Sequence, residues 1–121
     1  IAVLHSASLQ PSKLILKDAA GREAKGFDNR IRAKFDRTVR AAMFKRVPAG
    51  GTMELDWGQF RKSDDGKFEL QWGPFLFGDL APGAWEATVV FDATIGKADE
   101  GGAVPDAWTG KAVSAPVRVT L

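Results

Sequence analysis

The chain has 121 residues, 45% of them hydrophobic and 26% charged, which is enough apolar material for one packed domain and unlike the composition of an unstructured chain. No window reaches the ~20 apolar residues that a membrane-crossing helix needs, and the lack of cysteine excludes disulfide staples and thiolate chemistry. Net charge is only +2, but residues 1–50 carry eleven Lys/Arg against four Asp/Glu, residues 51–110 carry four against eleven, and Lys111 and Arg118 complete the sum.

Such asymmetry marks either a basic face for an anionic partner or two halves that neutralise each other. The second is favoured, because strands distant in sequence lie side by side in a sheet. The chain starts at Ile1 rather than Met, so it reads as a processed product or a fragment, and signal-peptide removal is one route to it. An exported protein (periplasmic, secreted or on the cell surface) is expected, although a cytosolic one also fits a cysteine-free composition.

In chain order, Ile1-Ala2-Val3-Leu4 is already strand-like. Leu14 to Leu16 forms a short strand entering the turn Asp18-Ala19-Ala20-Gly21. Ile31, Ala33 and Phe35 alternate with Arg30, Arg32 and Lys34, which predicts a strand with a basic outer face. Val39 to Phe44 reads as strand, with a helical turn over Arg40–Met43 as the alternative on propensity. Pro48 to Gly51 is a turn. Met53, Leu55 and Trp57 then alternate with Thr52, Glu54 and Asp56, another predicted strand. Asp64-Asp65-Gly66 signals a hairpin leading to Phe68, Leu70 and Trp72, each separated by a polar residue. Pro82-Gly83 is a turn before Trp85, Ala87, Val89 and Phe91. Residues 96–105 are a polar, glycine-bearing loop. Val113 to Leu121 closes the chain as a strand, with Pro116 implying an edge position or a bulge. Apolar alternation of this kind at this spacing predicts an all-β antiparallel sandwich of about seven strands, forming a single domain over residues 1–121.

The segment Leu80-Ala81-Pro82-Gly83-Ala84-Trp85 resembles the L-x-P-G-x-Y corner of bacterial immunoglobulin-like and fibronectin type III-like sandwiches, with tryptophan in place of tyrosine. The segment Val47-Pro48-Ala49-Gly50-Gly51-Thr52-Met53 is similar to the P-A-G turn of bacterial members. The resemblance covers about the last 75 residues and implies an immunoglobulin-like fold. It also implies either a short first strand or an open N-terminal edge that another chain fills by strand addition.

No catalytic residue, cofactor or metal ligand is assigned. His5 is the only histidine, and its neighbours Ser6 and Ser8 do not make a triad by adjacency. Asp64 and Asp65 read as turn caps rather than paired catalytic acids. Asp92, Asp99, Glu100 and Asp106 lack the spacing of a calcium loop. Nucleic-acid binding by the basic stretch 22–46 ranks below a solvated strand face. The remaining reading is a non-catalytic protein-binding or assembly module, with self-association open to it. Its candidate contacts are Arg30, Arg32, Lys34, Trp108 and Thr109. Trp57, Trp72 and Trp85 fall on the apolar phase of strands, whereas Trp108 lies in a loop, where it is either an exposed anchor or a ring plugging the end of the sandwich.

Two alternatives stand beside this one. A loop-insertion protease inhibitor would probe with Asp18–Gly21, Asp64–Gly66 and Gly96–Trp108. Chagasin-type inhibitors, which the chain resembles only in architecture and in the one tryptophan Trp108, carry a Pro-Trp loop and an N-P-T-T-G loop, and the latter is missing here. A carbohydrate-binding module would use Trp108.

Overall fold

The structure, a computed structural model, describes residues 1–31 and 34–121. Among these, ten strands pair antiparallel in three sheets. The strands are β1 (Ala2–Leu4), β2 (Lys13–Asp18), β3 (Phe27–Asp28), β4 (Phe44–Arg46), β5 (Gly58–Lys62), β6 (Phe68–Trp72), β7 (Phe75–Leu80), β8 (Ala84–Ala93), β9 (Gly110–Val113) and β10 (Val117–Thr120). Seven of them are four residues or longer.

Two sheets make the sandwich. One has β8 at its centre, with β2 on one side and both β9 and β10 on the other; the second runs β3-β7-β6-β5. The alternation sets which face goes in. Leu14 and Leu16 of β2 stand beside Val89 and Ala87 of β8, and they meet Leu70, Phe77 and Leu80 from the opposite sheet. Phe68, Trp72, Phe75, Trp85 and Leu121 pack around that cluster. Trp72 also anchors the sheets to the chain before β2, because its Nε1–H donates to Ser12 Oγ at 2.7 Å and Ser12 is fully buried.

β9 and β10 are one strand interrupted by a bulge. Val90 pairs with Val113 and Ala87 with Val117, so three residues, Ser114 to Pro116, oppose two on β8. Ser114 repairs the ladder with its own atoms: its N–H donates to Val89 O, and its Oγ accepts from Val89 N–H, both at 2.9 Å. Pro116, which has no N–H to donate, sits in this bulge.

The turn before β8 depends on backbone in the left-handed region and on one indole. Asp79 holds φ 55°, Gly83 holds φ 128°, and Leu80 is buried. The Trp85 indole N–H donates to Ala81 O at 2.9 Å, tying the ring across the turn.

The first half departs further from the alternation. β1 is short, and it is paired on both sides: β4 flanks one side, and Ala2 N–H to Asp106 O (3.0 Å) and Trp108 N–H to Ala2 O (2.8 Å) fill the other. Ala2, Val3 and Leu4 are buried accordingly.

No strand runs through the described residues of 30–35. Asp28 Oδ1 accepts the Arg30 N–H at 2.9 Å and turns the chain into a 3₁₀ turn at Asn29–Ile31, leaving Ile31 78% exposed. Phe35 is only half-buried, under the Arg37 guanidinium at 4.6 Å, and does not join the core cluster. Arg32 and Ala33 lie outside the described residues. Residues 41–43 form a 3₁₀ turn, as helix propensity at Arg40–Met43 allows, before β4 begins at Phe44. The Met53–Trp57 segment is not a strand either. Met53, Leu55 and Trp57 are half-buried and Glu54 and Asp56 exposed, so the alternation still sorts the side chains. Ladder pairing starts one residue later, at Gly58, where β6 supplies a partner.

Candidate functional site

The sequence-derived candidates do not gather into one place. Arg30 is bound into the body: its guanidinium reaches Asp28 Oδ2 at 2.7 Å and Ser8 O at 3.0 Å and lies over the Phe75 ring. The side-chain hydrogen bond between Arg30 and Asp28 is the main cause of two shifts: it raises the Arg30 pKa and holds the Asp28 carboxyl below its usual range. Lys34 is exposed, as is Thr109. Trp108 is half-buried and stacks on Phe91, with centroids 6.3 Å apart and planes 11° apart, over a Gly110 whose missing Cβ would lie 2.7 Å from the indole. That placement favours the packing role of Trp108 and takes support from the sugar-stacking and loop-anchor readings.

The candidate acids are dispersed among separate partners. Asp99 Oδ2 accepts Val39 N–H at 2.9 Å, Glu100 faces Arg40 Nε at 3.6 Å, and Asp106 pairs with Arg46. Two of these are ion pairs between the basic first half and the acidic second half, which fits mutual neutralisation of the charge asymmetry. Asp65 caps its turn, accepting from Ser63 Oγ at 2.7 Å and Lys67 N–H at 3.0 Å; the first of these chiefly lowers its pKa. Among the described residues, no three His, Asp or Glu side chains stand close enough to hold a metal ion.

His5 lies against Trp57 at 5.3 Å, and its buried Nε2 meets no hydrogen-bond partner among the described residues. The Ser6 hydroxyl accepts from Leu9 N–H instead. The hollow beside His5, about 330 Å³, mixes Lys45 and Arg46 with Glu54 and Asp56. The turn Asp18–Gly21 is laced by its own carboxylate, which takes N–H groups from Ala20 and Arg22 and the Arg22 side chain.

One feature combines apolar surface with unsatisfied backbone. Among the described residues, no strand pairs with the outer side of β5 or of β9–β10. These two edges face each other across an open groove of about 360 Å³. Its floor is Leu14, Leu16, Leu70 and Trp72, and its lips are Phe60 and Val117. Phe60 is 49% and Val117 59% exposed, whereas Leu16 and Leu70 below them are buried. Gly58 keeps one lip low, since a Cβ there would press on Trp72 at 3.0 Å. A sandwich normally closes such a seam with its own edge strands or a loop. Among the described residues the seam stays open along both sheets. Sequence reasoning misses this site because β5 carries only one large apolar residue; the signal available is Phe60 between Gln59 and Arg61.

Searched against protein-family models, curated proteins and solved structures, the chain matches none, so its reading rests on the geometry above.

Proposed function

We propose that this chain is a non-catalytic protein-binding or assembly module, an immunoglobulin-like domain or subunit of an exported or cell-surface assembly. The observation that carries this reading is the pair of edges, β5 and β9–β10, that have no outer strand partner among the described residues, with Phe60, Val113 and Val117 exposed on them. Edge N–H and C=O groups beside apolar side chains offer another chain both ladder bonds and buried area. The tied turn at Ala81 and Trp85 supports the immunoglobulin-like part of the proposal.

The test is photo-crosslinking in the cells that make the protein, with a photoreactive residue replacing Phe60 or Val117. Controls carry it at Glu23 or Lys25 on the far flank, where Lys25 is exposed and Glu23 lies in the same surface segment. A discrete adduct with one polypeptide from Phe60 and Val117, absent from the controls, supports the reading. Equal adducts from all four positions, or none, overturn it. Fractionation of the same cells should find the chain outside the cytosol.

A further inference from the structure

We propose that the groove between β5 and β10 takes one extended segment of a partner polypeptide in which aliphatic side chains alternate with acidic ones. This rests on the protein-binding reading and specifies the partner's chemistry. The aliphatic half of the specification comes from the lining, which is apolar from Leu14 and Leu16 through Phe60, Leu70, Trp72 and Val117. A strand laid along β5 turns every second side chain into that lining and the others outward.

The acidic half comes from the rows of charge that cross the sheets. On the outer face of one sheet, Glu69 of β6 stands opposite Arg61 of β5. On the other, Lys17, Glu86 and Arg118 stand in one row across β2, β8 and β10, and Asp92 stands opposite Lys111 of β9. Each row alternates in sign, and each ends at the open flank on a cation. The three edge strands β5, β9 and β10 carry no acidic residue, and their cations on the outer face are Arg61, Lys111 and Arg118, whereas Lys62 lies on the other face of β5, over the Phe68 ring. A carboxylate on an added strand continues the alternation with a favourable cross-strand pair, whereas a lysine or arginine there meets a like charge.

The same edges discriminate against a second copy of the chain. Edge-to-edge pairing of two such flanks would set cations against cations, and the bulge with Pro116 interrupts the β9–β10 ladder. β5 has neither bulge nor proline, so it is the edge on which the partner strand pairs. The chain's own alternating segment, Met53-Glu54-Leu55-Asp56-Trp57, has the matching chemistry but is engaged: its apolar residues are half-buried, and the Trp57 carbonyl accepts Gly73 N–H at 3.0 Å.

The experiment titrates the purified chain with three acetylated peptide amides. One alternates valine with glutamate, one alternates valine with lysine, and one holds the first peptide's residues with the valines in a single block. Binding is read by calorimetry and by NMR shifts of the β5 amides and the Trp72 indole N–H. The proposal expects the valine–glutamate peptide to bind at least about tenfold tighter than either control, with shifts confined to β5, β10 and Trp72. Two variants test the location. Val117→Asp puts a carboxylate on the lip and should abolish binding, and its position in solvent leaves the fold intact, checked by circular dichroism. Arg61→Glu should reverse the preference toward the lysine peptide. Equal binding of the glutamate and lysine peptides overturns the charge selection while leaving the protein-binding reading standing. Binding of none, alongside specific crosslinks from Phe60 and Val117, likewise overturns this inference alone. Concentration-dependent self-association that Val117→Asp abolishes overturns it in favour of a second copy.

Discussion

The two flanks of the sandwich are made from the same kind of alternating strand and end differently. On the β2–β3 flank the chain folds back over its own seam. Glu23 pairs with Lys17 through a single backbone β-bridge, Ala24 N–H donates to Leu16 O at 2.8 Å, and Gly26 lies so near the Phe77 ring that a Cβ would stand 2.8 Å from it. Phe77 is 4% exposed as a result. On the β5/β9–β10 flank nothing in the described chain returns to cover the seam, and Phe60 and Val117 remain in water. Alternation therefore selects the face a residue points to. Whether that face is buried depends on whether another segment arrives to cover it.

The largest expected effect comes from deleting the same ring on each flank. Phe77→Ala should cost about 3–5 kcal/mol in urea unfolding, the usual toll of an aromatic cavity in a core. Phe60→Ala should cost less than about 1 kcal/mol, as for a surface substitution. If the two losses are similar, the open flank is covered in solution and the comparison fails.

Glycine substitutions sharpen the contrast at smaller scale. Gly26→Ala drives a methyl into the enclosed Phe77 ring, an overpacking that should cost about 1–3 kcal/mol. Gly58→Ala meets Trp72 at 3.0 Å, but here the ring borders an open groove and has room to yield, so a loss below about 1 kcal/mol is expected. Comparable denaturation midpoints for the two variants would show that Trp72 is held as rigidly as Phe77.

The parts of the fold legible in the sequence are those where local chemistry and tertiary pairing agree. The strand over Phe68 to Trp72 is legible because turn residues bound it and its partners β5 and β7 lie close in sequence, whereas Trp85 to Ala93, whose main partner β2 is some seventy residues away, is legible from its long alternation behind the Pro82-Gly83 turn. Pro116 is readable as a bulge or edge because a missing N–H has few other homes in a sheet. The alternation begun at Arg30 and Ile31 misleads there, since the short-range capping of Arg30 by Asp28 makes a 3₁₀ turn of Asn29–Ile31. Phe75 to Leu80 is hard to read as a strand behind the Gly73-Pro74 turn, although Phe75 and Phe77 flank Leu76. The groove is the least legible feature. It depends on an absence of covering chain between edges some sixty residues apart, which no local pattern encodes.

The smallest expected effect separates the flanks by their electrostatics. At the end of β3, Asp28 accepts the Arg30 backbone N–H at 2.9 Å and two side-chain N–H groups, at 3.0 Å and 2.7 Å. Its carboxyl is thereby held below the ordinary carboxylate range. A carboxylate whose folded pKa is depressed adds stability that is complete above the unfolded value and fades as pH falls through the folded one. Asp28→Asn should therefore lower stability at neutral pH by less than about 1 kcal/mol, since the pair is partly exposed. Below the ordinary carboxylate range the gap between variant and parent should close. Denaturant midpoints measured from neutral pH down past that range give the answer. A gap that stays constant with pH would mean that the loss comes from contacts other than the charge on Asp28, and that the ion pair with Arg30 adds nothing to the closed flank.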